Sequence, residues 1–155
     1  MGLQQGKEKY PKAKIVLSFF SPSGYELHKN YALADYVTYL PFDKKSNVSE
    51  FINLVNPKVV VFVKYEFWLN YLFELEAKKI PTYLVSAVIK KHQPFFKWYG
   101  KAFVKALKTY KNIFVQDENS LQLLKSLGAT NGVNAGDTRI DRVLAVRSKS
   151  LEIKR

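Results

Sequence analysis

Cysteine is absent from the 155-residue sequence, and histidine occurs only twice, as His28 and His92. The absence of cysteine excludes a disulfide framework, a thiolate metal site and a thiol nucleophile. Two histidines without local partners do not predict a zinc site. The aspartates do not have the spacing of a calcium-binding loop; they are Asp35, Asp43, Asp117, Asp137 and Asp141. We therefore expect no metal and no cofactor.

Long apolar runs are also missing from the sequence. No stretch reaches the roughly 18 apolar residues of a membrane-spanning helix. The N-terminal segment, MGLQQGKEKYPKAK, is polar and lacks the apolar part of a signal peptide. We therefore expect a soluble chain located in the cytoplasm.

Acidic residues are scarce compared with basic ones. There are 13 aspartates and glutamates against 25 lysines and arginines, which gives a net charge of +12. This excess predicts an anionic partner, namely nucleic acid, an anionic membrane surface or a phosphorylated ligand. A lysine-rich surface that only confers solubility is the alternative. Many of the lysines lie between Lys90 and Lys111, interleaved with the aromatic residues Phe95, Phe96, Trp98, Tyr99, Phe103 and Tyr110.

Segments with the pattern of strands alternate with segments that have the pattern of helices. Strands are predicted over residues 14–20, 35–40, 58–63, 81–87, 112–116 and 132–135. Helices are predicted over residues 22–31, 46–55, 66–79, 94–109, 117–127 and 140–147. The alternation predicts an α/β fold with a parallel sheet and helices on both faces. We expect one domain over residues 1–147, followed by a tail or the start of a linker over residues 148–155.

Four residues mark the ends of predicted helices. Ser21 and Ser46 are suited to cap helix N-termini, because a serine hydroxyl accepts a hydrogen bond from a free backbone amide. Pro22 fits the first position of a helix. Gly128 is suited to end a helix, because glycine adopts the left-handed conformation without strain.

The stretch VVVFVKYEFWLNYL begins as a buried strand and then turns to a charged residue among aromatics. In an open parallel sheet, ligands bind outside the carboxyl ends of the strands. Unusual turns follow three predicted strands there, at residues 21–24, 64–66 and 86–91. Glu66 is therefore predicted where a helix begins at the functional edge. The alternative is structural, because the helix dipole favours a glutamate near any helix N-terminus.

Five segments in the same order carry a resemblance to a known family. They are SFFSPSGYE, VKYEFWLNYL, IPTYLVSA, FFKWYG and VQDENSLQLLKSLGA…GDTRIDR. The chain resembles the N-terminal, acceptor-side domain of the 3-deoxy-D-manno-octulosonic acid (Kdo) transferases of lipopolysaccharide synthesis, as found in Bacteroidetes-type bacteria. The resemblance runs from about Tyr10 to Arg142.

The resemblance implies a Rossmann-like three-layer fold that forms one half of a GT-B glycosyltransferase. It implies transfer of Kdo from CMP-Kdo to the bis-phosphorylated lipid A precursor, at the cytoplasmic face of the inner membrane. It places Ser21, Ser23 and Gly24 in the acceptor-side turn and Glu66 at the acidic position of the Glu-aromatic-Trp motif, as acceptor-binding residues. It also places Gly136, Asp137, Thr138 and Arg139 before the interdomain linker. The segment from Lys90 to Tyr110, here called the basic-aromatic segment, would then have two anionic partners, the phosphates of the acceptor and the membrane surface.

The chain departs from the family pattern in several places. The expected general base, a glutamate, lies upstream of the segment that matches residues 14–20, so no catalytic residue is assigned. The CMP-Kdo domain would follow the linker. We therefore expect an acceptor-binding part that is inactive alone and is able to self-associate through an uncovered sheet edge. Leu69 stands where the family usually has proline, and Lys64 where many members have an acid.

Other function classes have weaker support. A basic nucleic-acid-binding α/β module would explain the net charge and the aromatics beside lysines, but no helix-turn-helix, RNP or KH signature is present. A phosphate-binding α/β protein would use the turn at residues 21–24, although neither GxGxxG nor GxxxxGK[ST] occurs. Serine hydrolysis lacks the GxSxG elbow.

Overall fold

The structure of the chain is a computed structural model, which describes residue 8 and residues 10–136. Several expectations lie outside these residues: the turn at Asp137, Thr138 and Arg139, the helix over residues 140–147 and the tail over residues 148–155. Within the described part the chain forms two compact units. The first contains residues 10–55 and the second contains residues 56–136.

The first unit has two parallel strands, each followed by a helix. The strands are β1 (Val16–Phe19) and β2 (Tyr36–Tyr39), and the helices are α1 (Pro22–His28) and α2 (Lys45–Val55). Strand β1 pairs with β2 in parallel, with Val16 opposite Tyr36. Helix α2 buries Val48 and Ile52, four residues apart on one face. Ser46 is the second residue of α2 and not the residue before it, and its hydroxyl contacts the side chain of Asn47. The prediction that Ser46 caps this helix is therefore wrong.

The second unit has a four-stranded parallel sheet with the strand order β3-β4-β5-β6. Its strands are β3 (Val60–Val63), β4 (Thr82–Ala87), β5 (Asn112–Val115) and β6 (Gly132–Asn134). Its helices are α3 (Leu69–Ala77), a short 3-10 helix (Pro94–Phe96), α4 (Lys101–Thr109) and α5 (Glu118–Ser126). The α/β class and the parallel pairing of the strands are confirmed, with the strands arranged in two sheets.

The core of the second unit lies on its central strands. Leu84 and Val85 of β4, and Ile113 and Val115 of β5, have no solvent-exposed side-chain surface. These β-branched and leucine residues form a nearly continuous apolar run, which is the pattern of strands buried on both faces. Burial of each such side chain stabilises the fold by about 1.5–3 kcal/mol.

The long basic helix predicted over residues 94–109 is wrong. The segment instead forms the 3-10 helix, a turn, and then α4, which begins at Lys101. Gly100 lies at the break, and a Cβ added there would be only 2.3 Å from the carbonyl oxygen of Pro94. The backbone therefore folds tightly on itself at Gly100, and only glycine fits this close approach.

The two ends of α5 follow their sequence signals. Asp117, predicted as its first residue, is its N-cap, and the carboxylate accepts a hydrogen bond of 2.7 Å from the backbone amide of Ser120. Gly128 has a φ of +70°, which confirms it as the residue that ends the helix.

Candidate functional site

The four strands of the second unit run in the same direction, so their carboxyl ends lie at one edge of the sheet. We call the segments that follow these strand ends the carboxyl edge. Ligands of open parallel sheets bind at this edge. The segment 64–68 after β3 and the segment 88–93 after β4 are the two that carry most of the charged and aromatic residues.

The backbone at the carboxyl edge contains two left-handed residues that are not glycine. Lys64 directly follows β3 with a φ of 68°, and its amide donates a hydrogen bond of 2.8 Å to the carbonyl of Val85. Ser86, near the end of β4, has a φ of 55°, and the register between β4 and β5 shifts there. Such backbone conformations cost free energy and persist only when the surrounding structure holds them. The sheet thus fixes two sharp bends at its carboxyl edge.

Glu66 lies in the segment between β3 and α3. Because α3 begins at Leu69 with Trp68 as its N-cap, the prediction that a helix begins at Glu66 is wrong. Glu66 therefore lies two residues before the N-cap, outside the first turn of α3, where the effect of the helix dipole is strongest. The Glu66 carboxylate is half-buried and accepts a hydrogen bond from the indole N–H of Trp68.

Tyr110 holds the main chain of the same segment. Its hydroxyl donates a hydrogen bond of 2.6 Å to the backbone carbonyl of Glu66. Burial of the Tyr110 side chain, followed by the negative charge of Glu66, raises the pKa of its phenol well above the usual value near 10. Tyr110 therefore stays protonated at neutral pH and acts as a hydrogen-bond donor.

Aromatic packing joins the segment after β3 to the 3-10 helix. The rings of Phe67 and Phe95 meet edge to face, with 4.7 Å between their centroids. Phe95 is buried and also contacts Phe103 of α4. Tyr65 is 55% exposed. Of the aromatic residues around Glu66, Phe67 thus packs against a neighbouring element, while Tyr65 faces solvent at the carboxyl edge.

The segment after β4 is fixed by hydrogen bonds to buried or partly buried side chains. The amide of Ile89 donates to the hydroxyl of Ser120, at 2.9 Å, and this hydroxyl donates to the Asp117 carboxylate, at 3.0 Å. The side-chain oxygen of Gln93 accepts from the amide of Lys90, at 2.7 Å. These bonds hold Lys90 and its neighbour Lys91 at the carboxyl edge with both side chains exposed.

A groove of about 540 Å³ lies between the segment after β4, the 3-10 helix and α5. Its lining residues are Lys91, Phe96, Asn119, Gln122, Leu123 and Ser126. The lining combines one cation, two amides and a hydroxyl with an aromatic and an aliphatic side chain.

Ser21, Ser23 and Gly24 come together in the first unit, at the start of α1. The Ser21 hydroxyl accepts a hydrogen bond of 3.1 Å from the Gly24 amide, which confirms Ser21 as the N-cap. The hydroxyls of Ser21 and Ser23 lie 3.2 Å apart and are exposed. A Cβ on Gly24 would be 2.9 Å from the ring of Phe19, so this position requires a small residue. Glu66 belongs to the second unit.

Two features are absent from the described residues. Within residue 8 and residues 10–136, no three His, Cys, Asp or Glu side chains are grouped so as to hold a metal ion. In the same part of the chain, no helix has the length and apolar character needed to cross a membrane.

Comparison with known proteins gives the family. The family model described as 3-deoxy-D-manno-octulosonic-acid transferase (kdotransferase) matches residues 3–142, and so includes both the serine turn and Glu66. The chain belongs to this family. Its membership of the Kdo transferase family confirms the resemblance drawn from the five sequence segments, while the closer likeness to Bacteroidetes-type members stays a prediction.

Individual relatives agree with the family match. The chain is 30% identical to a 3-deoxy-D-manno-octulosonic acid transferase of Haemophilus influenzae over 86 residues, 55% of this chain and 20% of the relative. It is 26% identical to the Aquifex aeolicus protein of the same name over 150 residues, 96% of this chain and 38% of the relative. A bifunctional glycosyltransferase/methyltransferase of Fusobacterium nucleatum is 28% identical over 122 residues, 76% of this chain and 19% of the relative. The matches thus cover at most 38% of a relative's length.

Two residues that support the candidate site, Tyr110 and Ser120, are not indicated by the sequence pattern. Tyr110 lies in the basic-aromatic segment, and Ser120 follows the capping Asp117 in α5. Tyr110 lies 44 positions from Glu66, and Ser120 lies 31 positions from Ile89. The local signal in each case is weak: a polar aromatic residue at the end of an amphipathic helix, and a serine three residues after a capping aspartate.

Proposed function

We propose that the chain is the acceptor-side part of a glycosyltransferase that transfers Kdo from CMP-Kdo to the phosphorylated lipid A precursor in lipopolysaccharide synthesis. The observation that carries the proposal is the match of the Kdo transferase family over residues 3–142. A half-buried carboxylate held at the carboxyl edge of a parallel sheet supports it, because this edge is where such sheets bind ligands.

Glu66 is the acceptor-binding residue of the second unit in this proposal. A carboxylate is a strong acceptor for sugar hydroxyls, and hydrogen bonds to charged groups are stronger than those between neutral groups. The Trp68 indole donates a hydrogen bond to one carboxylate oxygen, Oε2, and so orients the carboxylate. The other oxygen of the carboxylate is left to accept a hydrogen bond from a hydroxyl of the sugar to which Kdo is transferred.

Ser21, Ser23 and Gly24 are the acceptor-binding residues of the first unit. The Ser21 hydroxyl is engaged as the N-cap of α1, so its role is to fix the turn. The Ser23 hydroxyl is exposed and supplies a donor and an acceptor for a polar group of the ligand. Gly24 keeps the turn close to the Phe19 ring.

In this proposal, the exposed lysines bind the phosphates of the lipid acceptor and an anionic membrane surface. Lys64, Lys90 and Lys91 are exposed at the carboxyl edge. Trp98 is 91% exposed and Tyr99 is 53% exposed, in the turn between the 3-10 helix and α4. Tryptophan and tyrosine favour the membrane interface, and each lysine near an anionic surface contributes about 1 kcal/mol. We place the protein peripherally at the cytoplasmic face of the inner membrane.

Binding of the bis-phosphorylated tetraacyl disaccharide to the purified chain tests the proposal. Its affinity is compared with that for the dephosphorylated lipid and for single-stranded DNA, at low and physiological salt. We expect phosphate-dependent lipid binding that persists at physiological salt. Glu66→Gln should weaken it by about 10-fold or more, since a hydrogen bond to a charged group contributes roughly 1.5–3 kcal/mol.

The variants include a matched control. Glu76→Gln removes one negative charge from an exposed position on α3 of the same unit and should leave binding unchanged. Ser23→Ala should weaken binding by less than Glu66→Gln does. Equal and salt-sensitive binding to every polyanion would contradict the proposal and favour a nonspecific or nucleic-acid-binding surface.

A further inference from the structure

Tyr110 is the buried residue that connects the end of α4 to the segment carrying Glu66. Its side chain is 2% exposed, and its hydroxyl lies 2.6 Å from the Glu66 carbonyl oxygen. We propose that Tyr110 is a positioning residue, which sets the place of the Glu66 carboxylate by fixing the main chain of residue 66. The inference rests on the role of Glu66 given under the proposed function.

The Tyr110 side chain is itself held firmly. Its ring meets Phe62 of β3 edge to face, with 6.2 Å between the centroids. The side-chain amide of Asn131 donates to the carbonyl of Tyr110, at 2.7 Å, and to that of Leu107, at 2.9 Å. The hydroxyl therefore has a defined position against the strand that precedes Glu66. A donor fixed in this way restricts the main chain more than a mobile side chain would.

Glu66 is held from two directions by different parts of the residue. Tyr110 bonds the main-chain carbonyl, while the Trp68 indole bonds the carboxylate. Lys64, two residues before Glu66, is bonded through its amide to β4. Fixing the carboxylate before the ligand arrives avoids the entropic cost of ordering the segment on binding, so loss of the Tyr110 hydroxyl should weaken binding without removing any ligand contact.

Tyr83 provides a matched control for this hydroxyl. It lies in β4 of the same unit, is 1% exposed, and carries a hydroxyl for which the described residues provide no hydrogen-bond partner. Tyr83→Phe and Tyr110→Phe both remove one oxygen atom from a buried ring. They differ in that only the second change removes a hydrogen bond to the segment after β3.

The first experiment measures affinity for the bis-phosphorylated tetraacyl disaccharide in a double-mutant cycle. Tyr110→Phe should lower the affinity about 3- to 10-fold, and Tyr83→Phe should leave it unchanged. In the Glu66→Gln background, Tyr110→Phe should have a smaller effect, because the carboxylate that it positions is gone. The same fold-loss in both backgrounds would overturn the inference, since it would show that Tyr110 acts on binding independently of Glu66.

The second experiment needs no ligand. The sequence has two tryptophans, so the Trp98→Phe background leaves Trp68 as the sole fluorescent indole. Tyr110→Phe should increase acrylamide quenching of Trp68 and shift its emission, whereas Tyr83→Phe should do neither. Unchanged quenching in Tyr110→Phe would overturn the inference.

The two experiments separate the inference from the function on which it rests. If the unmodified chain does not bind the lipid but Trp68 responds to Tyr110→Phe, the proposed function fails and the anchoring of the segment stands. If the chain binds the lipid and Trp68 does not respond, the proposed function stands and the positioning role of Tyr110 fails.

Discussion

The two units of the chain differ in how their proposed binding residues are supported. In the second unit, Glu66 is attached to a sheet whose central residues, such as Leu84 and Ile113, are completely buried. In the described part of the first unit, only Val48 and Ile52 reach comparable burial. In the same described part, six large apolar side chains are exposed: Phe20, Leu27, Tyr36, Tyr39, Phe42 and Leu54.

Local contacts take the place of a core around the serine turn. Tyr25 of α1 stacks on Tyr39 of β2 at 4.1 Å between centroids, and Phe19 stacks on His28 at 5.1 Å. Because of this difference, we expect the proposed binding residues of the first unit and those of the second unit to respond differently to mutation. Changes in the core of the second unit should alter stability strongly, whereas changes in the first should act mainly on the local turn.

We expect the largest change in stability from a leucine-to-alanine substitution, and each unit offers one leucine for comparison. Leu84→Ala should lower the free energy of unfolding by about 2–5 kcal/mol, because it leaves a cavity at a completely buried position. Leu17→Ala, in the half-buried β1, should lower it by less than about 2 kcal/mol. Urea unfolding followed by circular dichroism measures both. Equal losses of stability would contradict the difference in burial between the two units.

The next effect compares two glycines. Gly100→Ala should destabilise the fold by about 2–3 kcal/mol, because the new Cβ would meet three backbone carbonyl oxygens. Gly24→Ala should cost about 1 kcal/mol, because the nearest atom belongs to the Phe19 side chain. Thermal and urea unfolding of both variants give the values. A larger loss at Gly24 would show that the serine turn is more rigid than its burial suggests.

A third effect compares the caps of α1 and α5. Asp117→Ala should cost about 2 kcal/mol, since it removes a cap and a hydrogen bond to the buried Ser120 hydroxyl. Ser21→Ala should cost about 1 kcal/mol, since it removes only a cap on an exposed turn. The free energies of unfolding in urea test the order. The reverse order would contradict the stronger support assigned to the second unit.

The smallest effect is a dependence on pH. Because burial raises the pKa of Tyr110 in the folded state, the unfolded chain releases this proton first as the pH rises through about 10. Below that pH the residue contributes no pH dependence, and at pH 10.5 the loss of stability should stay below about 1 kcal/mol. Unfolding of Tyr110→Phe should lack this part of the alkaline decline, and the unmodified chain serves as the reference. An identical decline with and without Tyr110 would contradict the assignment.

The sequence was sufficient for the features that depend on local chemistry. The spacing of apolar residues predicted the described strands and most of the helices, and their ends agree with the structure to within a few residues, as in β1 and α2. Ser21 and Gly128 act at helix ends as their residue types predict. Glycine and serine carry strong local preferences, so their roles do not depend on distant parts of the chain.

The features that the sequence did not predict lack a clear local signal. Helix α3 begins at Leu69, and its N-cap, Trp68, provides no side-chain cap, so no local signal marked the start. The break at Gly100 lies within a run that has helical character throughout. Its cause is the close approach of Gly100 to the backbone carbonyl groups of Pro94, Phe95 and Lys97. The bond between Tyr110 and Glu66 spans 44 positions and leaves no trace in local composition.

The bond from Tyr110 also has a consequence for protein engineering. The hydroxyl is bonded to the carbonyl oxygen of residue 66, a group that every amino acid possesses. Replacing the glutamate therefore leaves the anchor in place, so a library of substitutions at this single position would vary the chemistry offered to a ligand while the path of the chain is retained. Position 66 is thus the natural place at which to redirect ligand preference, and Tyr110 is the residue to leave untouched while doing so.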